Sequence, residues 1–362
     1  MPRLTIDLGI IRSNVRAVRD LCAGHGIGIT GVTKVFCGDP VVAKAFLDAG
    51  VTRLGDSRVA NLRRLQFLDG EKWLIRMPAP SEIPDVVRYA DVSLNSEWHT
   101  LSLLSEEALR QGKRHKVILM ADLGDLREGY VDYGELRRVA QMVVRADGLE
   151  LYGIGTNLSC FSFIHPDTGK MRQLLGLAGL GNETLSAAAD VPMSPVAFVI
   201  SGGNSASLHL MMENGIPPGV NNLRLGESLL FGKERCHYTY LPGTRRDAFI
   251  LSAEVIELKE KPSVPWGEAG VDSYGNPPPV REDKGVRSRA ILALGKQDCD
   301  VETMRPVDGA VAILGASSDH MVLDVTDSAR RYALGDTVEF ELGYFALMRA
   351  YTSGYVEKVY VG

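Results

Sequence analysis

The sequence predicts an α/β chain: a (β/α)8 TIM-type barrel followed by a smaller all-β domain. Three observations carry that expectation. Short apolar segments alternate strictly with helical periodicity through roughly residue 240, close to the eight βα units that close a barrel. From LPGTRR onward the segments become short, alternating and β-like. Near the start, ITGVTKVFCGD delivers Lys34 to the carboxyl end of an apolar strand, and Asp39 with Pro40 then offers the cap and first turn of a helix. We place the boundary between residues 1–240 and 241–362.

The elements follow in order. LTIDL is a short strand, and Ile10, Ile11, Val15 and Val18 mark one face of a helix ending near Gly24. The Lys34 strand and its helix come next. TRLGD is a strand whose Asp56 and Ser57 can cap a helix bearing Val59, Leu62 and Leu65. KWLIRM, a helix from near Ser81, DVSLN, and a helix capped by Ser96 continue the alternation. HKVILMADL reads as a strong strand, and DYGELRRVAQMVVRADG places Leu136, Val139, Ala140, Val143 and Val144 on one helical face. ELYGIGTNL, a helix over about 168–189, VAFVISGG, a helix from Asn204 to Asn214, and NNLRLG complete the series. Beyond it, AFILSAEVIELK, RSRAILALG, GAVAILGAS, HMVLDV and DTVEFELGY read as strands, with one long polar loop, PWGEAGVDSYGNPPPVRED.

Composition bounds the function. Hydrophobic residues at 45% and charged residues at 23% describe a globular chain. A formal net charge of -5 gives no electrostatic reason to expect nucleic acid or anionic membrane as a partner, which points to a small-molecule substrate. No run of about twenty apolar residues is present, and Asp7 interrupts the only N-terminal stretch that could act as a signal, so a cytoplasmic location is expected. Five cysteines without C-x-x-C spacing indicate neither a disulfide framework nor a zinc site, and no metal is expected.

In a βα barrel the chemistry gathers at the carboxyl ends of the strands. Those ends carry Lys34, then Asp125 and Arg127, then Asn157 and Ser159, then Ser201, Asn204 and Ser205, then Arg224 and Gly226. A lysine desolvated at a strand end suits Schiff-base chemistry, because burial lowers its amine pKa; a snorkelling surface lysine is the ordinary alternative. SGGNSAS and LRLGES are glycine and serine turns that could hold a phosphate, or simply connect strand to helix. Arg224 keeps its proton, so a ring nitrogen facing it must accept and stay unprotonated; a salt bridge is its plainer use. Arg127 suits a substrate carboxylate, or else pairs with Glu128.

TKVFCGD, DLGDLREG, GIGTNLSC, GGNSAS and LRLGESLLFG, in this order and spacing, resemble the fold-type III pyridoxal-phosphate enzymes of the alanine racemase superfamily. KPSVPWGEAG, ASSDHMVLDV and ELGYFALMRAYTSGYV extend the resemblance over nearly the whole chain, and to its ornithine racemase-like branch. The resemblance implies a racemase that interconverts L- and D-amino acids through an external aldimine, with pyridoxal 5'-phosphate as cofactor. It implies that Lys34 carries the cofactor, that Ser205 and the backbone of Gly226 and Glu227 bind its phosphate with Ser201 and Asn204 nearby, and that Arg224 faces the pyridine nitrogen. Asn157 stands where the alanine racemases have a histidine against the cofactor ring, and Tyr355 where they place a tyrosine on the phosphate. It further implies a head-to-tail homodimer with Ser318 and Asp319 contributed across the interface.

The departures concern the substrate. Gly38 stands where alanine racemases have a tyrosine, and Trp266 stands near the place of their second catalytic tyrosine. An indole does not ionise usefully, so the second acid/base is expected to be Tyr274, with Asp319 or a one-base mechanism through Lys34 as rivals. Glu268 and Asp272 in the polar loop suggest a basic substrate such as ornithine. Two other functions share the motifs: a non-catalytic pyridoxal-phosphate homeostasis protein, and a D-amino-acid aldolase of the same fold type. The former lack a second domain, and the latter would need a metal beside the adjacent Asp319 and His320.

Overall fold

The computed structural model describes residues 1–187, 198–271, 275, 277 and 282–362. Two compact units account for the chain: residues 8–248 form one with Gly362, and residues 1–7 with 249–361 form the other.

In the first unit, among the described residues, eight parallel strands close a barrel in sequence order. They are β2 (Gly28–Val32), β3 (Arg53–Asp56), β4 (Glu71–Leu74), β5 (Val92–Asn95), β6 (His115–Met120), β7 (Leu149–Gly155), β8 (Val199–Ser201) and β9 (Asn222–Leu225), after a first strand β1 (Arg3–Asp7) that lies elsewhere. β2 and β9 close the ring, with Thr30 opposite Arg224. Trp73, Leu94, Ile118, Met120, Tyr152 and Val199 pack in one apolar cluster contributed by alternate positions of β4 to β8.

The surrounding helices are α1 (Leu8–Ala23), α2 (Pro40–Asp48), α3 (Val59–Arg64), α4 (Ile83–Tyr89), α5 (Trp98–Arg110), α6 (Tyr133–Arg145), α7 (Thr168–Ala187), α8 (Ser207–Met212) and α9 (Glu227–Phe231). Local chemistry explains their starts. Asp39 caps α2 by accepting from Val41 N at 2.8 Å, with Pro40 in the first turn. Asp132 caps α6 by accepting from Gly134 N at 2.8 Å, and Leu136, Val139, Ala140 and Val143 are its buried stripe.

Some boundaries differ from expectation. α4 begins at Ile83 after a single tight turn over Pro80–Glu82, as expected near Ser81, whereas α5 begins after Glu97 with no side-chain cap, so Ser96 does not play the capping part expected of it. α8 spans Ser207–Met212 because Asn204 uses its carboxamide oxygen to hold Ala206 N, one turn ahead of the helix proper.

The second unit is a sheet of β10 (Phe249–Pro262), β11 (Val286–Leu292), β12 (Met304–Pro306), β13 (Ala312–Ala316), β14 (Met321–Asp324), β15 (Thr337–Leu342) and β16 (Glu357–Val361), with α10 (Tyr344–Thr352). Along β10, Phe249, Leu251, Ala253 and Val255 are buried and their neighbours are not, the alternation of a sheet with one face covered. β1 pairs antiparallel with β10 and parallel with β16. The strand read as opening the barrel series is thus part of the second sheet, and the eight barrel strands begin at Gly28. Its in-out alternation, with Leu4 and Ile6 buried, is the half-covered pattern rather than the continuous apolar run of a parallel barrel strand. LPGTRR and the residues up to Ala248 belong to the barrel unit, so the division falls eight residues later than position 240.

Candidate active site

Lys34 opens a single 3-10 turn, Lys34–Phe36, two residues past the end of β2. The preceding Thr33 is fully buried and donates its hydroxyl to Asp56 Oδ2 at 2.6 Å. Asp56, at the end of β3, also accepts from Arg58 N at 2.9 Å and from Asn61 Nδ2 at 3.0 Å. Burial raises the Asp56 carboxyl despite those bonds. Asp56 therefore anchors the residue that precedes the lysine. The Lys34 side chain is exposed, yet protein atoms crowd around its amine. That crowding lowers its amine pKa; Cys160 opposes the shift, and Arg127 and Arg235 add to it. Gly38 has φ +59°, and a Cβ there would stand 2.8 Å from Asn61 Cβ, so this backbone leaves no room for a side chain at the position.

Next to β2 around the ring, the ends of β9, β8 and β7 carry a connected polar network. Arg224 is buried and donates to Ser201 Oγ at 2.6 Å and to Thr156 O at 2.7 Å. Ser201 Oγ donates on to Asn222 Oδ1 at 2.7 Å, and Asn222 Nδ2 to Thr30 Oγ1 at 3.0 Å, closing the chain across the β9–β2 seam. Burial pulls the Arg224 guanidinium down to about 10, which leaves it charged at neutral pH. Asn204 Nδ2 donates to Asn157 Oδ1 at 3.0 Å, to Leu158 O at 2.7 Å and to Cys160 Sγ at 3.3 Å, tying the β8 and β7 loops together.

Ser205 and Ser228 hydroxyls lie 3.1 Å apart, between the β8 and β9 loops. Gly226 precedes them with its Cα side against Val32 at the end of β2. Glu227 is buried, and its carboxylate pairs with Arg235 Nη1 at 3.3 Å; burial raises its pKa. Two buried polar atoms of the cluster have no protein partner: Thr156 Oγ1 and Asn157 Nδ2. Unpaired buried polar atoms are costly, and here they stand beside a buried cation and a pair of serines.

The barrel thus gathers Lys34, Asn157, Ser201, Asn204, Ser205, Arg224, Gly226 and Glu227 at its strand ends. Arg127 joins them electrostatically but is paired with Glu128, with Nη2 donating to Oε1 at 2.6 Å. Its loop is pinned from below by Asp125, whose carboxylate accepts from the backbone of Cys160, Phe161 and Ser162.

The other expected residues belong to the second unit. Ser318 and Asp319 are exposed neighbours, with Ser318 Oγ donating to Asp319 Oδ2 at 2.9 Å and Gln297 also donating to Asp319. Glu268 is exposed, and Tyr355 is 68% exposed. Tyr274 and Asp272 lie outside the described residues. Several members of the barrel cluster were not foreseen: Asp56 as an anchor rather than a cap, Thr156, Cys160, Asn222, Ser228 and Arg235. Ser228 stood within reach, two residues past Gly226 in a turn already singled out. Among the described residues no group of His, Cys, Asp and Glu could hold a metal ion, and no helix is long and apolar enough to cross a membrane.

Comparison with known proteins adds the following. The family model described as the alanine racemase N-terminal domain matches residues 6–234. The ornithine racemase of Acetoanaerobium sticklandii is 41% identical over 357 residues, covering 99% of each chain. The lysine racemase of Thermotoga maritima is 37% identical over 361 residues, covering 99% of this chain and 98% of that one. Among solved structures, the alanine racemase of Streptomyces lavendulae superposes with a TM-score of 0.72 at 19% identity, over 100% of this chain and 97% of the other. That likeness concerns the fold.

Proposed function

We propose, starting from the fact that this chain belongs to the alanine racemase family, that it is an amino acid racemase acting on basic amino acids with pyridoxal 5'-phosphate. The observation that carries the reading is Lys34: an amine with lowered pKa, fixed at a strand end beside a buried polar network that contains unpaired donors. The residues fit the cofactor. A flat ring with one nitrogen acceptor suits the donor-only Arg224, the Ser205–Ser228 pair suits a phosphate, and Thr156 Oγ1 and Asn157 Nδ2 would gain a partner. The basic substrate class is supported by the full-length similarity to enzymes named for ornithine and for lysine.

When bound, the cofactor takes up the electron pair left at the α-carbon. The protein does the rest. Lys34, with its lowered pKa, is neutral in a larger fraction of molecules than an ordinary lysine, so it can attack a carbonyl and then carry a proton. Arg224, held by Ser201 and Thr156, cannot yield a proton to a ring nitrogen and so keeps that nitrogen an acceptor. Arg127 meets the substrate carboxylate, with Glu128 aiming its guanidinium. Glu268 answers the basic side chain, and Tyr274, with Asp319 as the rival, is the second proton carrier. The enzyme acts as a cytoplasmic homodimer.

Chiral analysis of a panel of L-amino acids incubated with protein and cofactor tests the reading. D-ornithine or D-lysine should form faster than D-alanine, and Glu268→Gln should narrow the gap. Alanine emerging as the better substrate would overturn the basic class. Tyr274→Phe, assayed in both directions with α-deuterated substrate, should lose activity by orders of magnitude; unchanged rates would transfer the role to Asp319 or to Lys34 alone.

A further inference from the structure

The stretch after α9 is a turn built around one carboxylate. Glu234 is fully buried, and its Oε1 accepts from His237 N at 2.9 Å, Thr239 N at 2.9 Å and Thr239 Oγ1 at 3.0 Å, while its Oε2 accepts from Cys236 N. Burial alone would push this carboxyl up; the backbone N–H bonds overcome it and hold the pKa below the ordinary range. A turn tied in this way presents its next residue, Arg235, in a fixed direction.

The contacts of this turn reach residues next to the serine pair. Cys236 Sγ donates to Ala206 O at 3.3 Å, which fastens the turn to the residue after Ser205. Arg235 Nη1 bonds Glu227, the residue before Ser228. Its charge also reaches Lys34, whose amine it helps to depress. Arg235 thus bonds the residue before Ser228, while its neighbour Cys236 bonds the residue after Ser205.

We propose that Arg235 is the cationic ligand of the cofactor's phosphate, completing a cradle in which Ser205 and Ser228 supply the neutral contacts. The inference rests on the pyridoxal-phosphate reading and adds a residue to it. A phosphate monoester carries about -1.5 to -2 charge at pH 7, and two hydroxyls do not neutralise it. The neighbouring cations have other work: Arg224 is held by Ser201 and Thr156, Arg127 is assigned to the substrate carboxylate, and Lys34 takes the carbonyl. Arg235 is tied to Glu227, next in the chain to Ser228, whose hydroxyl lies 3.1 Å from that of Ser205.

The test is a binding titration rather than an assay. Cofactor-stripped protein is titrated with pyridoxal 5'-phosphate and, separately, with pyridoxal, which has the same ring and aldehyde without the phosphate; retained ligand is read by absorption and by equilibrium dialysis. Wild type should strongly prefer the phosphorylated ligand. Arg235→Gln should weaken pyridoxal 5'-phosphate at least tenfold and leave pyridoxal unchanged, and Arg235→Lys should fall between. If wild type binds the cofactor but Arg235→Gln keeps the same preference, the role of Arg235 is overturned and the cofactor stands. Equal weakening of both ligands would assign Arg235 to the turn alone and also overturn it. Failure of wild type to retain any cofactor would overturn the underlying reading instead. Should Arg235→Gln not fold, Arg235→Lys decides by the same ratio.

Discussion

The barrel unit and the second unit bury different things. Among the described residues, the buried polar side chains fall almost entirely in the barrel, from Thr30 and Asp56 to Arg224 and Glu234, whereas the second unit contributes Asp298 and Ser353, which bond each other at 2.7 Å. The second unit sets its charges at the edges instead, as in Arg3–Glu357 and Arg305–Glu341. A buried polar group is tolerated only when its bonds are met; among the described residues five buried side-chain atoms of the barrel unit lack a partner, and two of them, Thr156 Oγ1 and Asn157 Nδ2, lie on adjacent residues beside Arg224, where a ligand would satisfy both. The second unit has the economy of a sheet held by its apolar face.

Four measurements would break or sharpen that contrast. The largest effect is expected at Lys34: replacement by alanine should lower activity by about a thousandfold or more and abolish the cofactor absorption that survives dialysis in wild type. A variant still yellow after dialysis would move the chemistry to another lysine. In the second unit the largest effect should be on folding alone. Phe340 is fully buried in β15, and Phe340→Ala should cost about 3–5 kcal/mol in denaturant unfolding; a loss below about 1 kcal/mol would mean that this face is not a packed core.

The third concerns pH. His115, buried at the start of β6 with Nε2 2.9 Å from Ser93 Oγ, is pulled down to about 3 by burial, with Lys113 adding to the shift. A histidine kept neutral in the fold but not in the unfolded chain stabilises fully above the unfolded value near 6.5. Below that, the unfolded state binds the extra proton, so stability falls by roughly 1.4 kcal/mol per pH unit until the folded pKa is reached. Unfolding of wild type between pH 6.5 and 4.5 should show that added slope, and His115→Gln should remove it. The smallest effect belongs to the exposed pair Arg3–Glu357: Glu357→Gln should change stability by less than about 1 kcal/mol. A larger loss would mean that the edges of the second unit, and not its apolar face, hold it together.

Much of this was legible in the residues. The barrel followed from apolar runs alternating with periodic helices, and Asp39–Pro40 marked a helix start that the structure keeps. Lys34, Ser201, Asn204 and Arg224 could be found because a parallel barrel brings consecutive strand ends to one rim, so chain order alone predicts their neighbourhood. β1 could not be placed by counting, since a strand's pattern tells which face is covered and not which strand it will pair with. Arg235 was invisible for a related reason. It lies off the strand ends, on a turn whose shape depends on four bonds to Glu234, and nothing in GKERCHYT advertises those bonds. Arg127 was read as a carboxylate ligand or a partner of Glu128, and the structure shows the pairing with Glu128.

β1 and β16 lie side by side, Arg3 opposite Glu357 and Asp7 opposite Val361. In time they are as far apart as two strands of this chain can be. During synthesis β1 is made first, and the barrel strands and the rest of the second sheet follow before its parallel neighbour emerges. The barrel strands are all made once Leu225 is, but the second unit waits for β16, Glu357–Val361. Pairing across such a sequence distance is slow to form, and until it does β1 is an open edge. A chain interrupted between the barrel and β16 would therefore carry a complete rim of strand ends and an unfinished sheet, with one edge of β1 open to edge-to-edge association until β16 pairs with it.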